Sequence, residues 1–310
     1  MTSARVLTVV RLLALMVCAP LSALGAGAPL NAEVSSGPQA ATHDQTPVVT
    51  LPVLVLDRNR KPITDLAQNE LELYEGDEEQ SIESISRSST TPAKIGFLIE
   101  ISQSEAGALR ALKVHDATEL AAGVLRTGDL AFVATFARSG SLLSPLTSDL
   151  GRIEKALHSA FDSQPGPSGA SLYDSMFWAC TEELSTRTGH QALLVFSDML
   201  DNTSNHTREE VLAAAQPSGT VVYPVLLGEA AFVGMQVQGE RAAKLLADET
   251  GGVPFAVRKP DDLKETLSLI RADLDSTYIV AYRPKSHGPG SVKVRCTRKG
   301  VKIIAPDRRY

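Results

Sequence analysis

Positive charge is in short supply in this chain. Thirty Lys and Arg stand against 36 Asp and Glu over 310 residues, a formal net charge of −6. General nucleic-acid binding needs a basic footprint, so this balance argues against it. The last stretch is a local exception, with Lys293, Arg295, Arg298, Lys299, Lys302, Arg308 and Arg309. Those residues read as the solvated faces of edge strands. Cysteine is equally scarce, at three residues. The six histidines (His43, His115, His158, His190, His206, His287) are scattered and form no metal-ligand spacing. There is no P-loop and no Gly-x-Ser-x-Gly elbow, which removes the common sequence signs of nucleotide hydrolysis and serine acyl transfer. Beyond Gly25 no apolar run is long enough to span a bilayer.

The segment from Met1 to Gly25 reads as a secretory signal. Arg5 and Arg11 make a positive region, Leu12 to Leu24 an apolar core, and Ala23-Leu24-Gly25 the small-residue site for cleavage before Ala26. Val17 ahead of Cys18 speaks against a lipid anchor there. The mature protein is then exported, periplasmic or extracellular, with no transmembrane span. It keeps 28 basic against 36 acidic residues, once Arg5 and Arg11 leave, and a charge near −8. It also keeps two cysteines, Cys180 and Cys296. An exported pair invites a disulfide, but each sits in phase with apolar neighbours, which favours two separately buried thiols.

Residues 26–46 are rich in Ala, Ser, Gly and Pro without apolar period and read as a flexible linker. A small β module over 47–90 follows, with strands Val48–Leu56, Leu71–Glu75 and Ser81–Ser86. From residue 91 to 275 the grammar becomes strand-helix alternation. Strands fall at Lys94–Ile101, Asp129–Ala137, His190–Ser197, Thr220–Leu227 and Val253–Val257, with Ser141–Leu146 as an antiparallel edge. Helices fall at Glu105–Leu125, Asp149–Phe161, Ser171–Arg187, Thr207–Gln216, Gln238–Glu249 and Asp261–Leu274. Near-continuous apolar strands such as Leu193-Leu194-Val195-Phe196 suit a sheet covered on both faces. The expectation is an α/β, doubly wound, Rossmann-like and mostly parallel sheet with helices on both faces. Residues 276–310 add C-terminal strands (Ser276–Arg283, Ser291–Ile304) expected to pack on the β module.

Two of the core strands end in oxygen donors. One runs into Glu100-Ile101-Ser102-Gln103-Ser104 and the other into Ser197-Asp198. In an open parallel sheet ligands bind beyond the carboxyl ends of strands, and hard oxygens on such loops are what Mg²⁺ or Ca²⁺ takes. The bland alternative is that Ser102 and Ser104 cap a helix while Asp198 ends a strand in a polar loop.

Together with Val53-Leu54-Val55-Leu56-Asp57, Leu71-Glu72-Leu73-Tyr74-Glu75-Gly76, Leu172-Tyr173-Asp174, Leu194-Val195-Phe196-Ser197-Asp198 and Tyr278-Ile279-Val280-Ala281-Tyr282-Arg283-Pro284, these segments resemble a von Willebrand factor A (vWA) domain. The resemblance is closest to the VWFA-related Acidobacterial domain family of exported proteins and spans about Val48 to the C-terminus. It implies a metal-ion-dependent adhesion site at Glu100, Ser102, Ser104, a threonine before the third helix, and Asp198. A divalent cation there would leave one position for an acidic residue of a protein partner. The chain departs from that pattern. Glu100 stands where Asp is expected, Ala170 falls at the threonine position, and Met199 follows Asp198 where Gly is expected.

The expected function is therefore an exported, non-catalytic vWA-type interaction module with a degenerate cation site. A metal-independent scaffold on the same fold is the alternative, with a Mg²⁺-dependent hydrolase or phosphoryl-transfer enzyme behind it. Elsewhere, Asp174 reads as a hydrogen-bonding group of the fold, Asp201 as a loop or outer acid, and Phe177 and Trp178 as core packing. Asn202 and Asn205 match glycosylation sequons by chance. The apolar segment Glu229–Val237 reads as a loop able to contact a partner or its own neighbour.

Overall fold

The first strands are β1 (Val49–Leu56), a run buried from Leu51 onward, β2 (Leu71–Glu75), which alternates buried and half-buried residues, β3 (Glu78–Gln80) and β4 (Ile82–Arg87). The computed structural model describes residues 46–111, 117–185, 190–227 and 233–310. The expected leader and the linker up to residue 45 lie outside the described residues, as do Cys18, His43, His115, Arg187 and the start of the Glu229–Val237 segment.

The core follows as β5 (Ala93–Glu100), α1 (Ala106–Ala111), α2 (Ala117–Val124), β6 (Leu130–Phe136), β7 (Gly140–Thr147), α3 (Leu150–Phe161) and α4 (Leu172–Trp178). A π turn over Ala179–Glu183 continues α4. Next come β8 (His190–Ser197), α5 (Arg208–Ser218), β9 (Thr220–Leu227), α6 (Val233–Thr250), β10 (Phe255–Val257) and α7 (Pro260–Ser276). The chain then returns to the β module as β11 (Tyr278–Tyr282), β12 (Gly290–Cys296), β13 (Lys302–Ile304) and β14 (Arg308–Arg309).

The central sheet has six strands in the order β10-β9-β8-β5-β6-β7, parallel throughout except for the antiparallel edge β7. Counted within the core, this is the doubly wound Rossmann order, and strand order reverses between β5 and β8. Period-two alternation divides the strands cleanly. Phe97 and Ile99 of β5 and Leu194 and Phe196 of β8 face a core shared with α2, α3 and α7. Leu98 of β5 and Leu193 and Val195 of β8 face the opposite core, shared with α4, α5 and α6. That phase decides where the end residues of these strands point.

Helix ends follow local chemistry. Asp149 caps α3 by accepting from Arg152 N, and Thr207 and Glu210 form the capping box that starts α5. Pro260 opens α7. The β module comprises two antiparallel four-stranded sheets, β13-β1-β11-β4 and β14-β12-β2-β3, around one core containing Val53, Leu73, Val280 and Tyr282. Strands from both ends of the chain build it, with β11 between β1 and β4 and β12 against β2.

Three expectations need correction. The strand expected over Ser291–Ile304 is two strands, because a turn with Gly300 at φ 74° breaks it. Arg298 holds that turn against Asp65 and Glu70, at 2.6 Å to each. Val233–Val237 is the first turn of α6 rather than loop, with Met235 and Val237 exposed on it. The third helix ends at the π turn, short of Arg187. Both cysteines are free thiols; Cys180 is buried, and its pKa is pushed up to about 12 by that burial, while Cys296 is half-buried. Among the described residues, no helix is long and apolar enough to cross a membrane.

Candidate functional site

Glu100 ends β5 in the phase of Leu98, and Ser197 ends β8 in the phase of Leu193 and Val195. Both side chains therefore emerge on the α4–α6 face, side by side at the reversal of strand order. Ser197 Oγ donates to Glu100 Oε2 at 2.5 Å, bridging 97 positions of sequence. Ser102 Oγ donates to the other oxygen, Oε1, at 2.6 Å, and shares a 2.9 Å hydrogen bond with Ser104 Oγ. The backbone N–H of Asp198 also bonds Glu100. Glu100 and Ser102 are buried and Ser104 is exposed, so the chain of hydroxyls leads from the sheet end to solvent.

Asp198 is half-buried, and its Oδ1 accepts from Leu200 N at 2.8 Å. It also lines a cleft of about 30 Å³ with Met235, Gln236 and Glu240 of α6. Helix α6 presses on this loop at Gly239, where an added Cβ would lie 2.2 Å from the Asp198 carbonyl oxygen. Met199 holds a left-handed backbone, φ 61°, with its side chain buried in the α4–α6 core. The turn thus has the conformation glycine favours, but an apolar side chain anchors it instead.

The other expected positions are equally concrete. Ala170 is buried and supplies no side-chain oxygen; its carbonyl accepts from Asn202 N and Thr203 N. Ser171 does not replace it, because its Oγ donates to the Ala137 carbonyl at 3.0 Å. Asp174 accepts from the backbone of Asn205 and His206 and meets His206 Nδ1 at 2.7 Å, a role within the fold. Asp201 accepts from Ser204 Oγ and Tyr173 N. Phe177 stacks on His206, and Trp178 packs edge-on against Phe132. Asn202 turns its amide oxygen to Ala170 N, a structural bond.

Two participants take roles that the sequence does not assign. Ser197 reads there as an oxygen donor at a strand end, without its bond to Glu100. Glu105 reads as the first residue of a helix. Its backbone N donates to the Ser102 carbonyl, its side chain is 5% exposed, and its Oε2 has no hydrogen-bond partner among the described residues.

The electrostatics follow from burying three acids together. Burial and then the charge of Asp198 push Glu100 up to about 7, against the hydroxyl and amide donors that hold it down. Burial, then Asp198 and Glu100, push Glu105 up to about 8. Burial also raises Asp198, opposed by the Leu200 N–H. The donor types gathered here, carboxylates and hydroxyls, are those a hard divalent ion takes. Among the described residues, no group of three or more His, Cys, Asp or Glu is placed to hold a metal. A cation would have to draw on the serine hydroxyls as well.

No protein-family model matches the sequence, and no curated protein is similar to it in sequence. Several solved structures align with the chain. A von Willebrand factor type A protein from Catenulispora acidiphila aligns at 9% identity over 86% of this chain and 74% of its own, with a TM-score of 0.46. Manganese-loaded TRAP protein from Plasmodium vivax aligns at 12% identity over 76% and 97%, with a TM-score of 0.45. Proximal thread matrix protein 1 from the mussel byssus aligns at 16% identity over 65% of this chain, with a TM-score of 0.48; the match spans about half of that protein, 51%. The sheet itself, with its Rossmann order and one antiparallel edge, is the architecture that the vWA resemblance implies.

Proposed function

We propose that this chain is an exported, non-catalytic interaction module of the vWA type whose cation site persists in altered form. One observation carries the reading: Glu100, Ser102, Ser104 and Asp198 gather where strand order reverses, with hydroxyls leading out to solvent. Glu100, Ser102, Ser104 and Asp198 would hold Mg²⁺ or Ca²⁺, and the ion would supply a positive centre for an acidic side chain of a protein partner. The groups that bond Glu100 are hydroxyls and a backbone amide. Division into a β module (47–90), a vWA-like core (91–275) and closing strands (276–310) belongs to the same reading.

The second reading is a metal-independent scaffold, favoured by the fact that both Glu100 oxygens are already bonded within the protein. The two separate in one titration. Thermal unfolding of the protein and of Ser102→Ala is followed with Mg²⁺, Ca²⁺ and Mn²⁺ up to millimolar levels, since a ligand of the native state raises the midpoint by mass action. A rise in the parent protein that Ser102→Ala lacks supports the cation site. No rise with any of the three leaves the scaffold.

A further inference from the structure

One face of the sheet β13-β1-β11-β4 is turned away from the module's own core. Leu51, Val53 and Val280 fill that core, so by period-two alternation Thr50, Pro52 and Ile279 point the other way. Pro52, Ile279 and Ser86 stand in one row across β1, β11 and β4. Opposite them lie His190, which starts β8, and Pro217 to Gly219 at the end of α5. The two walls do not close on each other. Between them is a cavity of about 510 Å³, within the roughly 300–1,000 Å³ of small-molecule sites, although protein interiors hold few voids larger than a water molecule. It lies at the amino ends of β8 and β9, the opposite pole of the sheet from Glu100 and Asp198, and is independent of the cation reading.

Val48, Pro52, Pro217 and Ile279 give the cavity apolar walls. Arg87, Ser88, Thr91 and His190 give it a polar corner, drawn together because the chain through 87–91 runs into β5, where Ala93 pairs with His190. The Ser88 and Thr91 hydroxyls are committed to the Leu274 and Ser88 carbonyls. His190 is committed to nothing: it is 3% exposed, and neither ring nitrogen meets a hydrogen-bond partner among the described residues. Burial, then the charge of Arg271, lowers its pKa to about 4, so at neutral pH the ring is uncharged and offers one donor and one acceptor. Arg87 is exposed at the mouth, with one N–H on the Asp275 carbonyl at 3.4 Å. The other lining cation, Arg309, is paired with Glu75. Among the described residues that line the cavity there is no Asp or Glu, in a chain where acids are in excess. An anionic head group meets no repulsion there.

We propose that this cavity binds a small amphiphilic carboxylate, its apolar body against Pro52 and Ile279 and its carboxylate in the polar corner, where Arg87 supplies charge and the His190 ring a hydrogen bond. Arginine and carboxylate make the stronger, charge-assisted kind of bond, and the apolar walls take the rest of the molecule out of water.

The test compares three probes with the same straight alkyl tail: octanoate, octanol and octylammonium. Each is titrated into the protein at pH 7 by calorimetry, with the His190 ring followed by NMR, and then into Arg87→Gln and Ile279→Trp. The first variant changes an exposed side chain; the second fills the space between the walls. Octanoate is expected to bind and to move the His190 ring resonances, octanol to bind more weakly, and octylammonium not to bind. Arg87→Gln should weaken octanoate about tenfold or more, the scale of a lost hydrogen bond to a charged group, and leave octanol unchanged. Ile279→Trp should abolish binding of both; if that variant fails to fold, Arg87→Gln and the His190 resonances decide alone. The proposal is overturned if octanoate gives no binding at millimolar levels, if octylammonium binds as tightly, if Arg87→Gln binds octanoate as the parent does, or if octanoate binds with the His190 resonances unmoved. Octanoate binding undiminished in a folded Ile279→Trp would also overturn it, by placing the probe elsewhere.

Discussion

Replacing Glu105 by glutamine should make the ion-free protein more stable at neutral pH and leave it almost unchanged in acid. Burial and the neighbouring acids raise the Glu105 pKa from 4.5 to about 8. An acid with a raised folded-state value binds more protons when folded than when unfolded, so stability falls as pH climbs between those two values. At 1.36 kcal/mol per unit, keeping Glu105 buried works against folding by roughly 3 kcal/mol at pH 7 and by under about 1 kcal/mol at pH 5. Glu105→Gln removes that penalty while keeping the side chain's size. Urea unfolding in the presence of chelator, at pH 5 and pH 7, measures both differences. The variant should gain about 2 kcal/mol more at pH 7 than at pH 5. Equal effects at the two values would refute the argument, because the carboxyl would then be ionised or neutral throughout.

Three further outcomes test the frame around the site. Met199→Gly relieves a left-handed backbone worth about 1–2 kcal/mol but empties a buried position worth at least the roughly 2–5 kcal/mol of a Met→Ala change; net destabilisation is expected in denaturant unfolding, and a stabilised variant would show that the Met199 side chain anchors nothing. Gly239→Ala pushes a methyl into the Asp198 carbonyl, 2.2 Å from the added atom, and should lower stability by about 1–3 kcal/mol with a shift of the Asp198 backbone amide visible by NMR; an unshifted amide would contradict the close packing of α6. Arg309→Met strands the buried Glu75, which Arg309 meets at 2.6 Å and Tyr282 Oη at 2.7 Å, and should lower stability by about 3–5 kcal/mol; the added change Glu75→Gln should recover much of it, and additivity of the two would show that they are uncoupled.

Much of the architecture is legible in the sequence because apolar phase carries it. Strands such as Leu193-Leu194-Val195-Phe196 are apolar on both sides, which only a doubly covered sheet satisfies, and the capping pair Thr207 and Glu210 marks its helix without reference to anything distant. Strand β3, at three residues, is too short to stand out. The break between β12 and β13 has one local sign, Gly300, and is fixed by Arg298 reaching back to Asp65 and Glu70, contacts that span most of the chain. The site divides in the same way. Glu100, Ser102, Ser104 and Asp198 declare themselves by spacing at strand ends. Glu105 does not, because an acid at a helix start normally faces water, and only tertiary packing turns this one inward. Ser197 needs both the strand phase and the knowledge that β8 lies beside β5.

The interleaved β module also sets an order of events in folding. Strand β1 must wait for β11, whose Tyr278 pairs with Val53 across most of the chain, and such distant contacts are slow to form from an open chain. The core relieves this, since its own strands and helices connect in short steps. Once α7 is docked, Ser88 N bonds the Thr277 carbonyl at 3.0 Å and Ser88 Oγ bonds the Leu274 carbonyl. The two exits of the core are then tied together, next to the Arg87–Tyr278 pair that begins the β4–β11 ladder. From that clasp the ladder can zip outward at the entropic cost of a short loop instead of a very long one. A nascent chain cut off before Tyr278 would therefore hold a folded core beside an open set of strand edges, the kind of intermediate that aggregates or waits on a chaperone.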